Sequence, residues 1–371
     1  MTWPTVKLGE ITKIRTGKLD ANAANENGAY PFFTCAVEPL SINTAAFDCK
    51  AILVAGNGDL NVKYYEGKFN AYQRTYVIES LDENKLLPKY LFLFLEKYVS
   101  RLRELAIGGV IKYIKIGNLT DAELPLPPLA EQQRIAAILD KAEEIKRKRE
   151  QAVAKLDELA QSTFVEMFGD PVRNQKGWKT VELKQFGKIV TGNTPSRNDL
   201  RNYENGLIEW IKTDNITERS IFISPAREHL SQQGVKIGRT VKKGALLVAC
   251  IAGSLDSIGR ASLTDREVAF NQQINAIQPY EDINPLFLYN LFKSSRAYIQ
   301  SHASSGMKKL LSKGEFEKIK MIKPPIALQN QFVATIEKVN YLRNQITAFD
   351  EQTNLLITSL QNQAFTTGFN A

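Results

Sequence analysis

The chain is expected to fold as α+β: two globular α/β domains separated by two long antiparallel helices in a coiled coil, with an internal pseudo-twofold repeat. Three observations lead there. The sequence repeats itself, each copy ends in a long helical segment opened by a Pro-Pro pair, and the residues between are short apolar runs of β type. The expected boundaries are 1–128 for the first domain, 129–168 for the central helix, 169–326 for the second domain and 327–371 for the distal helix.

The repeat is read directly. Trp3-Pro-Thr-Val-Lys-Leu-Gly-Glu-Ile-Thr-Lys-Ile-Arg-Thr-Gly17 aligns with Trp178-Lys-Thr-Val-Glu-Leu-Lys-Gln-Phe-Gly-Lys-Ile-Val-Thr-Gly192 at an offset of 175 residues. Lys50-Ala-Ile-Leu-Val-Ala55 echoes Gly244-Ala-Leu-Leu-Val-Ala249. From Pro88 to Lys141 the offset is 197 without gaps, pairing Pro88/Pro285, Gly109/Gly306, Lys112/Lys309, Gly117/Gly314, Pro127-Pro128/Pro324-Pro325, Ala130/Ala327, Gln132/Gln329 and Lys141/Lys338. All net length change therefore falls in the middle of the copy. A fixed frame with a variable middle is how a binding surface on a common scaffold looks.

Each Pro-Pro pair is poor helix interior but suits the residues before a helix. The first helix is expected from about Ala130 to Phe168, stopped by Gly169 and Pro171; the second from about Ala327 to near Thr367, before Gly368. Positions 135, 138, 142, 145, 149, 152, 156 and 159 (Ile, Ile, Ala, Ile, Arg, Ala, Leu, Leu) have coiled-coil spacing. Their counterparts are Phe332, Thr335, Val339, Leu342, Ile346, Phe349, Thr353 and Leu356. A helix of this length reaches about 58 Å and needs a partner along its stripe. Leu139, Val153, Phe164, Met167 and Phe168 widen that stripe beyond one seam. The run Lys146-Arg147-Lys148-Arg149 is offset by Glu143, Glu144 and Glu150 and reads as a solvated face.

Strands are expected at Ala51–Ala55, Thr75–Ile78, Ile208–Ile211, Leu246–Ile251 and Ile274–Ile277, and helices at Leu86–Leu105 and Pro285–Gln300. Polar loop residues dominate the variable middle. In the first domain the candidate DNA-binding residues are Asn57, Asp59, Asn61, Lys63, Tyr64, Gln73 and Arg74. In the second they are Arg197, Asn198, Lys212, Thr213, Asn215, Arg260, Asn271, Gln272 and Gln273. Asn and Gln can pair bidentately with adenine, and Arg or Lys with guanine.

Charge separates the copies. Residues 1–128 hold 15 Lys+Arg against 14 Asp+Glu, 129–168 hold 7 against 8, 169–326 hold 24 against 15, and 327–371 hold 2 against 3. The whole basic excess lies in the second domain, where it can gather phosphate by releasing counterions. Three scattered cysteines (Cys35, Cys49 and Cys250) exclude a disulfide framework, read as buried small hydrophobes, and point to a reducing cytoplasm. No apolar run has membrane-spanning length, and Met1-Thr2-Trp3-Pro4 lacks signal-peptide character. No constellation for catalysis is present: the only histidines, His229 and His302, lack ligand neighbours, and there is no phosphate-binding glycine motif. Asn284-Pro285-Leu286-Phe287 superficially matches an amino-methyltransferase motif but aligns with the helix start Leu87-Pro88-Lys89-Tyr90.

Leu124-Pro-Leu-Pro-Pro-Leu-Ala-Glu-Gln-Gln-Arg-Ile-Ala-Ala-Ile-Leu139 resembles the central conserved region of type I restriction-modification specificity subunits. Met321-Ile-Lys-Pro-Pro-Ile-Ala-Leu-Gln-Asn-Gln-Phe332 is similar to its distal counterpart, with Leu328 where the first copy has Glu131. Thr191-Gly-Asn-Thr-Pro-Ser196, Ile208-Glu-Trp-Ile211 and Ala269-Phe-Asn-Gln-Gln273 are similar to segments of the family's second recognition domain. The resemblance implies two target recognition domains reading a bipartite, asymmetric site in double-stranded DNA, with half-site centres roughly one helical turn apart if both face one side. It implies a non-catalytic subunit on which two methyltransferase and two restriction subunits assemble. Those partners carry the S-adenosylmethionine, ATP and Mg chemistry, and this chain carries no cofactor or metal. Gln132, Ile135, Leu139, Gln329 and Phe332 are the candidate partner-binding residues on the helices. Two alternatives stay open: the recognition subunit of a related, type IIB-like complex, or a coiled-coil scaffold that does not bind DNA.

Overall fold

The computed structural model describes residues 3–217, 220–304 and 309–366, with the side chains of 309, 348–352 and 354 outside that description. The chain forms two compact units, residues 1–151 with 347–371 and residues 152–346. These units do not follow the expected boundaries. Each long helix, Leu129–Phe168 and Ile326–Ala364, is divided between them, so neither helix is a domain of its own. The expected stop at Thr367 and Gly368 lies outside the described residues.

Unit 1 is built on a six-stranded sheet. Its order is Thr12–Thr16, Thr75–Ser80, Phe47–Ala55, Val62–Ala71, Tyr30–Phe33, Leu40–Ile42, antiparallel except where Tyr30–Phe33 runs parallel to Val62–Ala71. Helix Pro88–Leu105 starts with Pro at its first position, where the missing N–H is no loss. Its buried side, including Tyr90, Leu91, Phe94 and Leu95, packs with Ile52, Val54 and Ile78 of the sheet.

Unit 2 has two four-stranded sheets beside two strand pairs, Ile251–Ala252 with Lys309–Leu310 and Thr180–Glu182 with Lys320–Ile322. One sheet orders Gly187–Thr191, Ile274–Pro279, Leu246–Ala249 and Ala261–Leu263; the other orders His229–Leu230, Ile208–Ile211, Val268–Phe270 and Thr240–Val241. Two expectations are corrected here. The strand expected over Leu246–Ile251 breaks at Cys250, and the helix expected over Pro285–Gln300 breaks at Ser295 into Pro285–Ser294 and Arg296–Ser301.

The frame repeats hydrogen bond for hydrogen bond. Leu8 N–H donates to Ala122 O and Leu183 N–H to Ile319 O; Leu126 N–H donates to Pro4 O and Lys323 N–H to Lys179 O. Strand Thr5–Lys7 pairs with Glu123–Pro125 as Thr180–Glu182 pairs with Lys320–Ile322. At each helix start a glutamine with no solvent exposure is fully bonded. Gln132 Oε1 accepts from Leu87 N–H at 2.9 Å, while its Nε2 donates to Lys85 O at 2.7 Å and Pro127 O at 2.9 Å. Gln329 does the same with Asn284 N–H (2.9 Å), Asp282 O (3.2 Å) and Pro324 O (2.8 Å). One amide therefore satisfies three backbone groups, the Pro-Pro carbonyl among them fully buried.

The helix ends close the cores. Phe168 stacks edge-on to Phe287 at 5.1 Å between centroids in unit 2, and Phe365, its counterpart, lies 5.3 Å from Tyr90 in unit 1. Within each unit the two helical segments run antiparallel: Arg149 bonds Thr353 in unit 1, and Arg343 bonds Asp157 at 3.2 Å in unit 2. The expected seam is buried at Ile135, Phe332 and Val339 and bonds across the pair at Arg149 and Thr353, but elsewhere it departs from expectation. Leu139, Ile336 and Ile357 are buried where Ile138, Thr335 and Leu356 were expected, whereas Ile145, Leu159, Leu342 and Leu356 are exposed. The stripe drifts because a straight helix turns in 3.6 residues and not 3.5. The Phe349 side chain lies outside the described residues. Of the cysteines, Cys250 alone is fully buried. Burial pushes its thiol up to about 12, and burial with the Glu79 hydrogen bond pushes Cys49 up to about 12, so neither is a thiolate at neutral pH.

Replacing Gln132 by Leu removes the partner of three backbone groups, one buried and two part-buried, and should destabilise unit 1 by roughly 2 kcal/mol. Gln329→Leu should do the same to unit 2. Urea unfolding monitored separately in each unit reads this; an unchanged midpoint would show that the amides are not essential to the frame.

Candidate nucleic-acid interface

In both units the candidate residues gather where strands give way to loops. In unit 1, Gly56 N–H donates to Arg74 O at 2.8 Å, which brings the Gly56–Asp59 turn against Gln73 and Arg74. Gly58 takes φ of +70°, a conformation that favours glycine, and its N–H donates to Lys112 O at 2.9 Å. Asn61 donates to Cys35 O at 2.8 Å and Asp59 O at 2.9 Å, and accepts from Lys63. Burial pulls the Lys63 ammonium below its ordinary range. Asn57, Asn61, Lys63, Gln73 and Arg74 thus share one edge, with Gln73 and Arg74 exposed.

Two unit 1 candidates do not join them. Alternation along Val62–Ala71 sends Tyr64 to the opposite face from Lys63. There it meets Phe92 at 6.1 Å and the Lys89 ammonium at 5.9 Å, packed on the helix. Asp59 pairs with Arg103 at 3.3 Å, and a carboxylate repels phosphate besides.

In unit 2 the pattern centres on Glu228. Arg197 reaches it at 2.7 Å and Lys212 also bonds to it. The Arg197 guanidinium lies 4.9 Å from the Trp210 ring centre and 5.1 Å from Tyr203, and the Lys212 ammonium lies 5.2 Å from Trp210. Burial pushes the Glu228 carboxyl up, but the hydrogen bonds from Lys212 and Arg197 outweigh it and hold the group below its ordinary range. A cavity of about 500 Å³ opens beside Arg197, Tyr203, Arg227, Glu228 and His229. Asn271 N–H donates to Ile211 O at 3.0 Å, which sets the Asn271–Gln273 turn next to Lys212. Gln272 is exposed and accepts from Thr194. Asn198 is exposed on a loop of the same unit, and Thr213 is half-buried at the start of the short 3-10 helix Thr213–Asn215.

Four candidates are bound into the scaffold. Buried Asn215 donates to Ser224 Oγ (3.2 Å) and Pro225 O (3.0 Å) and accepts from Lys212 N–H (3.0 Å). Asn271, also buried, donates to Gln273 Oε1 at 2.9 Å and accepts from Gln273 N–H at 3.1 Å, leaving both amides committed to the turn. Arg260 pairs with Asp256 at 2.6 Å and lines a separate cavity of about 370 Å³ with Tyr289, Lys293 and Arg296.

The expected partner-binding residues need correction. Gln132, Ile135, Leu139, Gln329 and Phe332 are all buried within their own units, because they hold each helix to its domain, and a buried side chain offers no docking surface. Sequence reasoning also missed Glu228, Tyr203 and the loop around Lys112. Only the last had a signal, the pairing of Gly109 and Lys112 with Gly306 and Lys309. Among the described residues no His, Cys, Asp and Glu group could hold a metal ion, and no helix is long and apolar enough to cross a membrane.

The sequence model of the type I restriction modification DNA specificity domain matches residues 1–155 and again 175–355. The EcoDI specificity subunit of Escherichia coli is 49% identical over 138 residues, which is 37% of this chain and 30% of that protein. The EcoR124I/EcoR124II specificity subunit of Escherichia coli is 27% identical over 296 residues, covering 73% of this chain and 68% of that protein. In fold, the chain is similar to the type I restriction-modification S subunit from M. genitalium, with a TM-score of 0.65 at 16% identity over 98% of this chain and 96% of that one. With both copies of its repeat matched by one family, and with the fold of a solved S subunit, the chain belongs to the type I restriction-modification specificity subunits.

Proposed function

We propose that the two units read the two halves of a bipartite, asymmetric site in double-stranded DNA. One observation carries this reading: the units share a frame to the level of single hydrogen bonds, yet present different side chains at the same edge of that frame. In unit 1 the edge holds amides with Lys63 and Arg74; in unit 2 it holds Arg197, Lys212 and Gln272. Different readers on equivalent frames yield a target whose halves differ. Base contacts come from such amide and guanidinium groups, and phosphate contacts from the surrounding lysines and arginines. Unit 2, which contains the basic part of the chain, supplies more of the latter.

Methyltransferase subunits dock on the helices through side chains that the chain leaves exposed. In unit 1 these are Ile145, Leu355 and Leu356; in unit 2 they are Leu159, Val165, Tyr341 and Leu342. Exposed apolar residues at helical spacing fit a protein partner better than phosphate. Two such subunits bring adenosylmethionine-dependent methylation, and two restriction subunits bring ATP- and Mg-dependent cleavage, so that this subunit contributes specificity and no catalysis.

Arg197→Ala with Lys212→Ala should relax the bases read in one half-site and leave the other unchanged, as mapped by sequencing methylated adenines in cells carrying the chain with its methyltransferase. Loss of selectivity in both halves would contradict independent readers. Glu228→Gln removes the carboxylate that competes with DNA for Arg197 and Lys212. It should raise affinity for non-cognate duplex a few-fold at low salt; unchanged affinity in a binding titration would place both cations off the DNA face.

A further inference from the structure

Each unit carries a cavity at the root of its long helix. In unit 1 it measures about 580 Å³ and is lined by Trp3, Pro4, Leu126, Pro127, Pro128 and Leu129, with Lys85 beside them. In unit 2 it measures about 500 Å³. There Trp178, Lys179, Lys323, Pro324, Pro325 and Ile326 stand at the same positions of the repeat, with Asp282 in place of Lys85. Burial matches too: in both units the tryptophan is half-buried, the first proline of the pair buried and the second exposed.

These walls belong to the frame and not to the segment that varies. Gln132 holds Lys85 O and Pro127 O, and Gln329 holds Asp282 O and Pro324 O. Leu126 N–H ties the far wall to Pro4 O, as Lys323 N–H does to Lys179 O. Each cavity is therefore set by main-chain bonds before any occupant arrives. A preformed cavity of this size, walled by an indole and a proline pair, suits an apolar anchor side chain. Charge is kept as well, although the residues change. Lys85 gives the first lining one net positive charge, and Lys179 and Lys323 against Asp282 give the second the same. Lys323 and Asp282 pair at 2.6 Å, which leaves exposed Lys179 as the charge at that mouth. Lys85 has Asp82 at 3.7 Å, an exposed pair that solvent screens.

Resting on the docking of methyltransferase subunits proposed above, we propose that each cavity takes an apolar side chain with a carboxylate beside it, supplied by one such subunit. The apolar side chain lies against the indole and the prolines. The carboxylate meets Lys85 in unit 1 and Lys179 in unit 2. Two readers that differ at their edges share this cavity, so its occupant is something the chain meets twice in the same form. Continuity supports the placement, since Leu129 and Ile326 are the first residues of the long helices whose exposed side chains carry that docking.

The test uses the full chain with its methyltransferase subunit and counts subunits bound per chain by analytical ultracentrifugation. Pro4 and Lys179 are exposed at the two mouths and join the frame through their main-chain oxygens, so tryptophan at either position obstructs a cavity. Pro4→Trp and Lys179→Trp should each leave one methyltransferase bound and weaken the other about thirty-fold, as for a lost anchor. The double variant should lose both, with thermal midpoints unchanged. Lys85→Glu and Lys179→Glu alter only exposed charges, and each should weaken one of the two dockings several-fold. Two methyltransferases held as tightly by all these variants would overturn the cavities as docking sites and leave docking along the helices standing. Weaker duplex binding with unchanged methyltransferase stoichiometry would overturn them in favour of DNA. Self-association of the chain alone, abolished by the tryptophan variants, would overturn them in favour of a second copy. Failure of the wild-type chain to bind the methyltransferase would overturn the docking reading itself, and the cavities with it.

Discussion

The arrangement of each unit depends on one buried amide. A helix that leaves a domain has free backbone groups at its start, and the loop before it has carbonyls turned inward. Gln132 and Gln329 each bind three backbone groups at once, joining the Pro-Pro turn and the start of helix Pro88–Leu105 or Pro285–Ser294 to the long helix itself. An apolar residue of the same size would fill the space and leave the three groups unpaired, which is the costly case. Phe168 and Phe365 then seal the same cores from the far ends of the helices. Each long helix is thus held at its root in one unit, and its far end closes the core of the other.

With the frame held this way, the residues between its strands are free to vary. Gly17 N–H donates to Thr75 O and Gly192 N–H to Ile274 O, so both copies enter and leave the variable segment through the same bond. With its flanking strands the segment builds different sheets in the two units, one of six strands in the first and two of four strands in the second. Specificity can therefore change without disturbing the Pro-Pro turns, the glutamines or the helix ends. The charge difference has the same origin, since the basic excess accumulates in the second copy outside the helices.

Much of this was legible in the residues. The two offsets located the frame, and Pro88, Pro127-Pro128 and Gly169 placed the helix limits to within a residue or two. What escaped was direction. Gln132 sits in the motif that marks the family, but spacing alone does not tell whether a helical residue turns toward its own domain or toward a partner. Tyr64 is one residue from Lys63 and on the other face of the strand. Asn215 and Asn271 have the composition of base readers, yet their amides are committed to local turns, as short polar side chains often are. The expected seam departs from the buried stripe toward its ends because a straight helix turns in 3.6 residues and not 3.5, although Arg149 and Thr353, both expected seam positions, do meet.

The central claim is that a common frame carries exchangeable readers. It is tested most directly by replacing residues 17–75 with residues 192–274, keeping the bonds that bound both segments, and sequencing the methylated adenines in cells with the partner methyltransferase. The account predicts a site in which the second half-site appears twice and the first is gone. Retention of the original asymmetric site would contradict it.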